Sequence, residues 1–209
     1  MNQFVTLEQI DRAVEAVRSR TSHRPRIGIV LGSGLNSLAD SVQKADAIPF
    51  GDLPDWPRST VHGHAGKLVV GELEGQSVMV MQGRVHFYEG YSISQVTLPT
   101  RVMARMGLEI LIVTNAAGGV NPDFAPGDVM LITDHLNLMG MTGANPLMGP
   151  NIEELGPRFP DMSQASSALP AQTRWECPRC RRSSLPVMAG CAFWVFRASA
   201  TKPTLMALR

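Results

Sequence analysis

Apolar and polar positions alternate along the first 165 residues in short, well-punctuated blocks. Thr6 followed three residues later by Gln9 fits a capping box, and Ile10, Val14 and Val17 form an apolar stripe at helical spacing, which predicts a helix reaching about residue 20. Ile27-Gly-Ile-Val-Leu31 is a continuous apolar run ending in Gly32-Ser33-Gly34, the pattern of a buried strand opening into a tight turn. Leu68–Leu73 and Ser77–Gln82 read as two strands joined by a turn at Glu74-Gly75. Residues 93–106 have helical spacing, interrupted by Pro99. Glu109–Thr114 reads as a fully buried strand ending in Asn115-Ala-Ala-Gly-Gly119, and Asp128–Thr133 as another ending at Asp134-His135. Strands alternating with helical stretches define an α/β fold: a mixed, largely parallel central sheet flanked by helices. Ligands in such sheets sit beyond the carboxyl ends of strands, where the polar clusters of this chain also fall.

Composition divides the chain. Residues 1–165 hold no cysteine and one tryptophan, Trp56. Residues 166–209 hold Cys177, Cys180 and Cys191, two tryptophans, six arginines and one acidic residue, Glu176. The expected organisation is a domain over 1–165 and an aberrant, poorly ordered tail over 166–209. A net charge of +1 gives no field for nucleic acid. No run of 18 or more apolar residues suggests a membrane span, and the first twenty residues lack the apolar core of a secretory signal, so a cytoplasmic protein is expected.

Four clusters carry candidate chemistry. Gly32-Ser33-Gly34 offers a hydroxyl and backbone N–H groups to an anion, or is a plain glycine turn. His62-Gly-His64-Ala-Gly66 offers two histidines without a third ligand at zinc spacing, so an anion-binding or loop-ordering role is favoured over a metal. Gln82-Gly-Arg84-Val-His86-Phe-Tyr88-Glu89-Gly90-Tyr91 is the densest. If the strand from Ser77 continues, Arg84, His86 and Tyr88 share one face, as an oxyanion clamp with a sugar-binding hydroxyl; the alternative is a solvated edge. The small residues after Asn115 let backbone approach a ligand, or make a tight strand-to-helix turn. Gly32-Ser-Gly34 is not a dinucleotide fingerprint, since position 37 is Ser.

Taken in order, VLGSGL (30–35), STVHGHAGKLVVG (59–71), GRVHFYEGY (83–91), VTNAAGGVNPDFAPGDVMLITDHLNL (113–138), GANPLMGPN (143–151) and RFPDMS (158–163) resemble the trimeric purine nucleoside phosphorylases. The methylthioadenosine phosphorylases share that architecture; the HGHAG and GRVHFYEGY forms favour the purine nucleoside branch. The resemblance implies a pentosyltransferase of purine salvage, in which phosphate attacks C1′ of a purine nucleoside to release the base and (deoxy)ribose 1-phosphate. It implies phosphate held by Ser33, His64, Arg84, His86 and the backbone at Ala116, with His86 the catalytic group of the set. Tyr88, Asn115 and Ala116 would line the ribose and nucleoside. Inorganic phosphate is then a co-substrate, no cofactor or metal is expected, and the assembly is a homotrimer.

The resemblance stops near residue 165. The family carries later a G-P-x-[YF]-E-T segment, a G-M-S-x-V-P-E segment and an asparagine after a strand, whose Glu and Asn grip the purine and whose Ser adds a phosphate contact. Residues 166–209 contain none of these. Cys177-Pro-Arg-Cys180 would be half a zinc site, but only Cys191 follows and no His lies beyond His135. A change of reading frame near residue 166 is the other explanation: codons for Trp194–Pro203 taken one nucleotide early can spell L-G-x-P-G-Q-R-Y-E-T. The alternative to an active phosphorylase is therefore an inactive, truncated remnant keeping the phosphate and ribose half.

Overall fold

The computed structural model describes residues 4–59, 66–118, 124–132, 138–143, 145–159, 174–175 and 191–197. Helix α1 (Leu7–Arg18) starts at the expected capping box: Thr6 Oγ1 accepts from Gln9 N–H, and Gln9 Oε1 accepts from Thr6 N–H. Strand β1 (Ile27–Val30) follows, then β2 (Gln43–Pro49), β3 (Lys67–Leu73) and β4 (Gln76–Gln82). The turn between β3 and β4 has Glu74 at φ 48° and Gly75 at φ 73°. Two successive left-handed residues match the strand twist of a two-residue hairpin, and only glycine adopts them without steric cost. Residues 93–105 form two helices rather than one, α2 (Ile93–Val96) and α3 (Leu98–Arg105), with Pro99 accommodated in the first turn of α3. Strands β5 (Ile110–Ala116), β6 (Val129–Leu131), β7 (Arg174–Trp175) and β8 (Cys191–Arg197) complete the described sheet.

The eight strands order as β2-β3-β4-β1-β5-β8-β6-β7. The sheet is mixed, as expected: β1 is parallel to both β4 and β5, and β6 to β8, while the β2–β3, β3–β4, β5–β8 and β6–β7 pairs are antiparallel. Residues Arg174–Trp175 and Cys191–Arg197, from the compositionally distinct stretch, are thus strands of the same sheet.

Strand alternation divides the core between the two sheet faces. Val30, Leu68, Val70, Met79 and Met81 face a cluster with Ile10, Val14 and Val17 of α1 and Leu98, Val102 and Met103 of α3. Ile29, Leu31, Val69, Val78 and Val80 pack with Ala39 and Val42 on the other face. Burial on both faces explains why these strands are continuous apolar runs. Each fully buried side chain such as Ile10 or Leu68 contributes roughly 1.5–3 kcal/mol by leaving water.

One strand was not predicted and one strand expectation needs correction. β2 was not legible: its exposed face is polar, Lys44 takes φ 49°, and the β2–β3 register slips between Gln43 and Asp46, all marks of an irregular edge strand. β5 is not fully buried either. Among its residues only Thr114 is, and the strand continues through Asn115 and Ala116.

Candidate functional site

Register brings the chemistry to one edge. Val30 of β1 lies opposite Met81 of β4 on one side and Val113 of β5 on the other. The three central strands therefore run out together, and the residues that follow, Gly32-Ser33-Gly34, Gly83-Arg84 and Thr114-Asn115-Ala116, occupy neighbouring positions. With strands about 4.8 Å apart, the three ends span about 10 Å, the scale of one small anion with a sugar beside it. β1 has a parallel neighbour on each side, so the chain crosses over in opposite directions from it, the arrangement that opens a ligand crevice in α/β sheets.

The Gly32 turn packs backbone to backbone against β5. A Cβ at Gly32 would lie 2.7 Å from the Thr114 carbonyl oxygen and 2.8 Å from Asn115 Cα, so no side chain fits. Gly34, at φ 83°, completes the turn and leaves Ser33 exposed. Asn36 carbonyl accepts from Gln82 Nε2 at 2.9 Å, which ties the far side of the turn to the end of β4; Gln82 Oε1 is buried without a hydrogen-bond partner among the described residues.

β4 does not continue through residue 88. Gly83 takes φ 101°, which ends the strand, and Phe87–Glu89 form a turn of 3-10 helix closed by Gly90 at φ 91°. The expected alternation of Arg84, His86 and Tyr88 on one strand face is therefore corrected. The two rings nonetheless meet, because the tightened backbone stacks His86 on Tyr88 with centroids 4.8 Å apart and planes 11° from parallel. Tyr88 is exposed. Arg84 is partly buried; its Nη1 donates to the Thr114 carbonyl at 2.6 Å, and among the described residues no carboxylate pairs with it. Burial pulls its pKa below the ordinary guanidinium value, with the nearby Tyr88 phenol acting in the opposite sense. A partly desolvated guanidinium without a carboxylate is suited to a planar or tetrahedral oxyanion.

Three residues that shape the site were given no role from the sequence. Glu89 Oε1 accepts from His86 N–H at 2.7 Å and its Oε2 from Ser59 Oγ at 3.2 Å, which links the His86 turn to the segment entering residues 60–65. Its spacing of three from His86 is that of a capping residue and was the available signal. Tyr91 grips Arg58, and Thr114 grips the end of β1. Of the expected site residues, Ser33, Arg84, His86, Tyr88, Asn115 and Ala116 lie at or beside this edge; His62 and His64 lie outside the described residues, as do Cys177 and Cys180. Among the described residues no group of three or more His, Cys, Asp or Glu could hold a metal ion, and no helix is long and apolar enough to cross a membrane.

Three parallel central strands whose carboxyl ends gather Ser33, Arg84 and Asn115 define an α/β sheet with its polar residues at one edge, and comparison with known proteins places it in a family. Residues 26–177 match the family model described as the phosphorylase superfamily, and the chain belongs to that family. Within it, the similarity is to purine nucleoside phosphorylases. Purine nucleoside phosphorylase 1 of Geobacillus stearothermophilus is 57% identical over 158 residues, which cover 76% of this chain and 57% of that protein. Two crystal structures from Schistosoma mansoni align over 78% of this chain. Purine nucleoside phosphorylase in complex with inosine aligns at TM-score 0.66 and 42% identity over 56% of its own length. Isoform 2 in complex with cytosine and ribose-1-phosphate aligns at TM-score 0.68 and 39% identity over 57%. The chain thus spans little more than half the length of these relatives.

Proposed function

We propose that the chain is the phosphate- and ribose-binding part of a purine nucleoside phosphorylase. The observation that carries this reading is the convergence of the Ser33 turn, Arg84 and the Asn115-Ala116 backbone on one edge of the sheet, in a chain whose relatives bind inosine and ribose-1-phosphate. Phosphate would be held by Ser33, His64, Arg84, His86 and the backbone of Ala116, and the sugar by Tyr88, Asn115 and Ala116. His86, stacked on Tyr88, would border both and act at the reacting centre. A phosphate oxygen forms the new bond to C1′ as the C1′–N9 bond breaks. The bonding pair leaves on the purine, which takes up a proton, and ribose 1-phosphate results. The transition state resembles an oxocarbenium ion, and a fixed phosphate dianion beside it stabilises that charge. Arg84 and the histidines contribute by holding the nucleophile in place. The reaction uses no metal or organic cofactor. The reading further includes residues 1–165 as the amino-terminal part of the catalytic domain, residues 166–209 as a tail of aberrant sequence, a homotrimer, and a cytoplasmic role in purine salvage.

A second reading is supported by the absence of G-P-x-[YF]-E-T and G-M-S-x-V-P-E motifs from residues 166–209. The chain would then bind phosphate without turnover, since losing even one preorganised group that stabilises developing charge costs about 100-fold or more. Purified chain incubated with inosine and phosphate decides between them. Hypoxanthine release at the rate of an intact relative supports the enzyme. Thermal stabilisation by phosphate without hypoxanthine supports the binding remnant, and neither response refutes both.

A further inference from the structure

Thr114 is the one fully buried residue of β5, 1% exposed, and it is polar. Its Oγ1 accepts from Gly32 N–H at 2.8 Å and donates to the Val30 carbonyl at 3.0 Å. Its own carbonyl accepts from Arg84 Nη1 at 2.6 Å. One residue of β5 thus bonds the strand end that leads into Ser33 and the guanidinium that follows β4. Valine has nearly the same shape and is the ordinary choice for such a position, as Val113 beside it illustrates. A valine would leave the Gly32 N–H, in a buried residue, without the acceptor it has here. Filling the core therefore does not explain the hydroxyl.

We propose that Thr114 is a positioning residue for the anion site: its hydroxyl sets the Gly32-Ser33-Gly34 turn and its carbonyl sets Arg84, so that both keep a fixed spacing. It does not itself touch the anion. The proposal rests on the phosphate-binding reading above.

The test uses the full chain, its T114V and T114S variants, and inorganic phosphate followed by titration calorimetry. T114V, which keeps the carbonyl and the shape but loses both hydroxyl hydrogen bonds, is expected to bind phosphate about tenfold more weakly, because the buried Gly32 N–H loses its acceptor. T114S, which keeps the hydroxyl, recovers most of the affinity. Amide exchange at Gly32 gives a readout independent of phosphate: slow in the unmutated chain and in T114S, fast in T114V. A folded T114V that binds phosphate as tightly as the unmutated chain overturns the proposal, even if its melting temperature falls. Should T114V fail to fold, an unprotected Gly32 amide in the unmutated chain overturns it, and a protected one there and in T114S, with phosphate affinity retained in T114S, supports it. Absence of phosphate binding by the unmutated chain is a different outcome, which overturns the anion-site reading itself.

Discussion

Tyr91 and Arg58 bond each other in both directions: the Tyr91 hydroxyl donates to the Arg58 carbonyl at 2.7 Å and accepts from the Arg58 N–H at 3.1 Å. The pair closes both backbone groups of a residue that lies just ahead of residues 60–65, and it sits one position before Ser92, the N-cap of α2. Tyr91→Phe removes both bonds and nothing else. It is expected to cost about 1 kcal/mol, a fall of about 2–4 °C in melting temperature for a chain of this size, read by thermal unfolding. If His64 belongs to the anion site, the same variant weakens phosphate binding.

Arg84 carries the sharper prediction. Arg84→Lys keeps the charge but loses the fork that reaches both the Thr114 carbonyl and an oxyanion. Phosphate affinity is expected to fall about tenfold or more in Arg84→Lys and further in Arg84→Ala, with the difference between them measuring charge apart from geometry. Calorimetric titration with phosphate checks this; equal affinities in Arg84→Ala and the unmutated chain would falsify the role given to Arg84.

Two carboxylates contribute to the acid limb of stability. The hydrogen bond from Arg12 holds Asp55 below its ordinary pKa of 3.8 against the opposing effect of burial, and the hydrogen bond from Arg105 does the same for Asp11. A depressed folded-state pKa stabilises the protein above the unfolded value and is lost as pH falls through the folded value. Stability should therefore decline from about pH 4 downward on this account. Asp55 is partly exposed, so its share stays under about 1 kcal/mol. Asp55→Asn tolerates the left-handed backbone at φ 59° as aspartate does, and is expected to flatten the decline below pH 4 in urea unfolding curves. An unchanged slope would show that Asp55 is not linked to folding.

The reading-frame idea makes a prediction about nucleotides. Tyr-Glu-Thr can be spelled one base early across Thr201-Lys202-Pro203 only if the codon of Ala200 ends in T, that of Thr201 ends in G and that of Lys202 ends in A. Sequencing the gene checks all three; any other base at one of those positions removes this route to Tyr-Glu-Thr.

Where local chemistry dictates local structure, the sequence was readable. Thr6 with Gln9 marked the start of α1, and Glu74-Gly75 marked the hairpin, because each signal completes its own hydrogen bonds or backbone geometry within a few residues. The edge of the sheet where the polar clusters gather was also readable, since polar residues after apolar runs sit at strand ends. Its inner geometry was not. Gly83 and Gly90 turn the chain so that His86 and Tyr88 meet by stacking, which a two-residue alternation does not anticipate. Thr114 acts on Val30 and Gly32, more than eighty residues away in the chain, so nothing beside it in the sequence reveals its partners.

That separation bears on how the chain folds. β1 joins β4 and β5 by pairing Ile27 with Val78 and with Ile110, contacts that close long loops before they return any stabilisation. The edge that gathers Ser33, Arg84 and Ala116 does not exist until both pairings are made. An anion that binds there recognises only molecules whose central strands have already found one another, so it acts as a thermodynamic latch on the completed sheet and leaves earlier, partly collapsed species untouched.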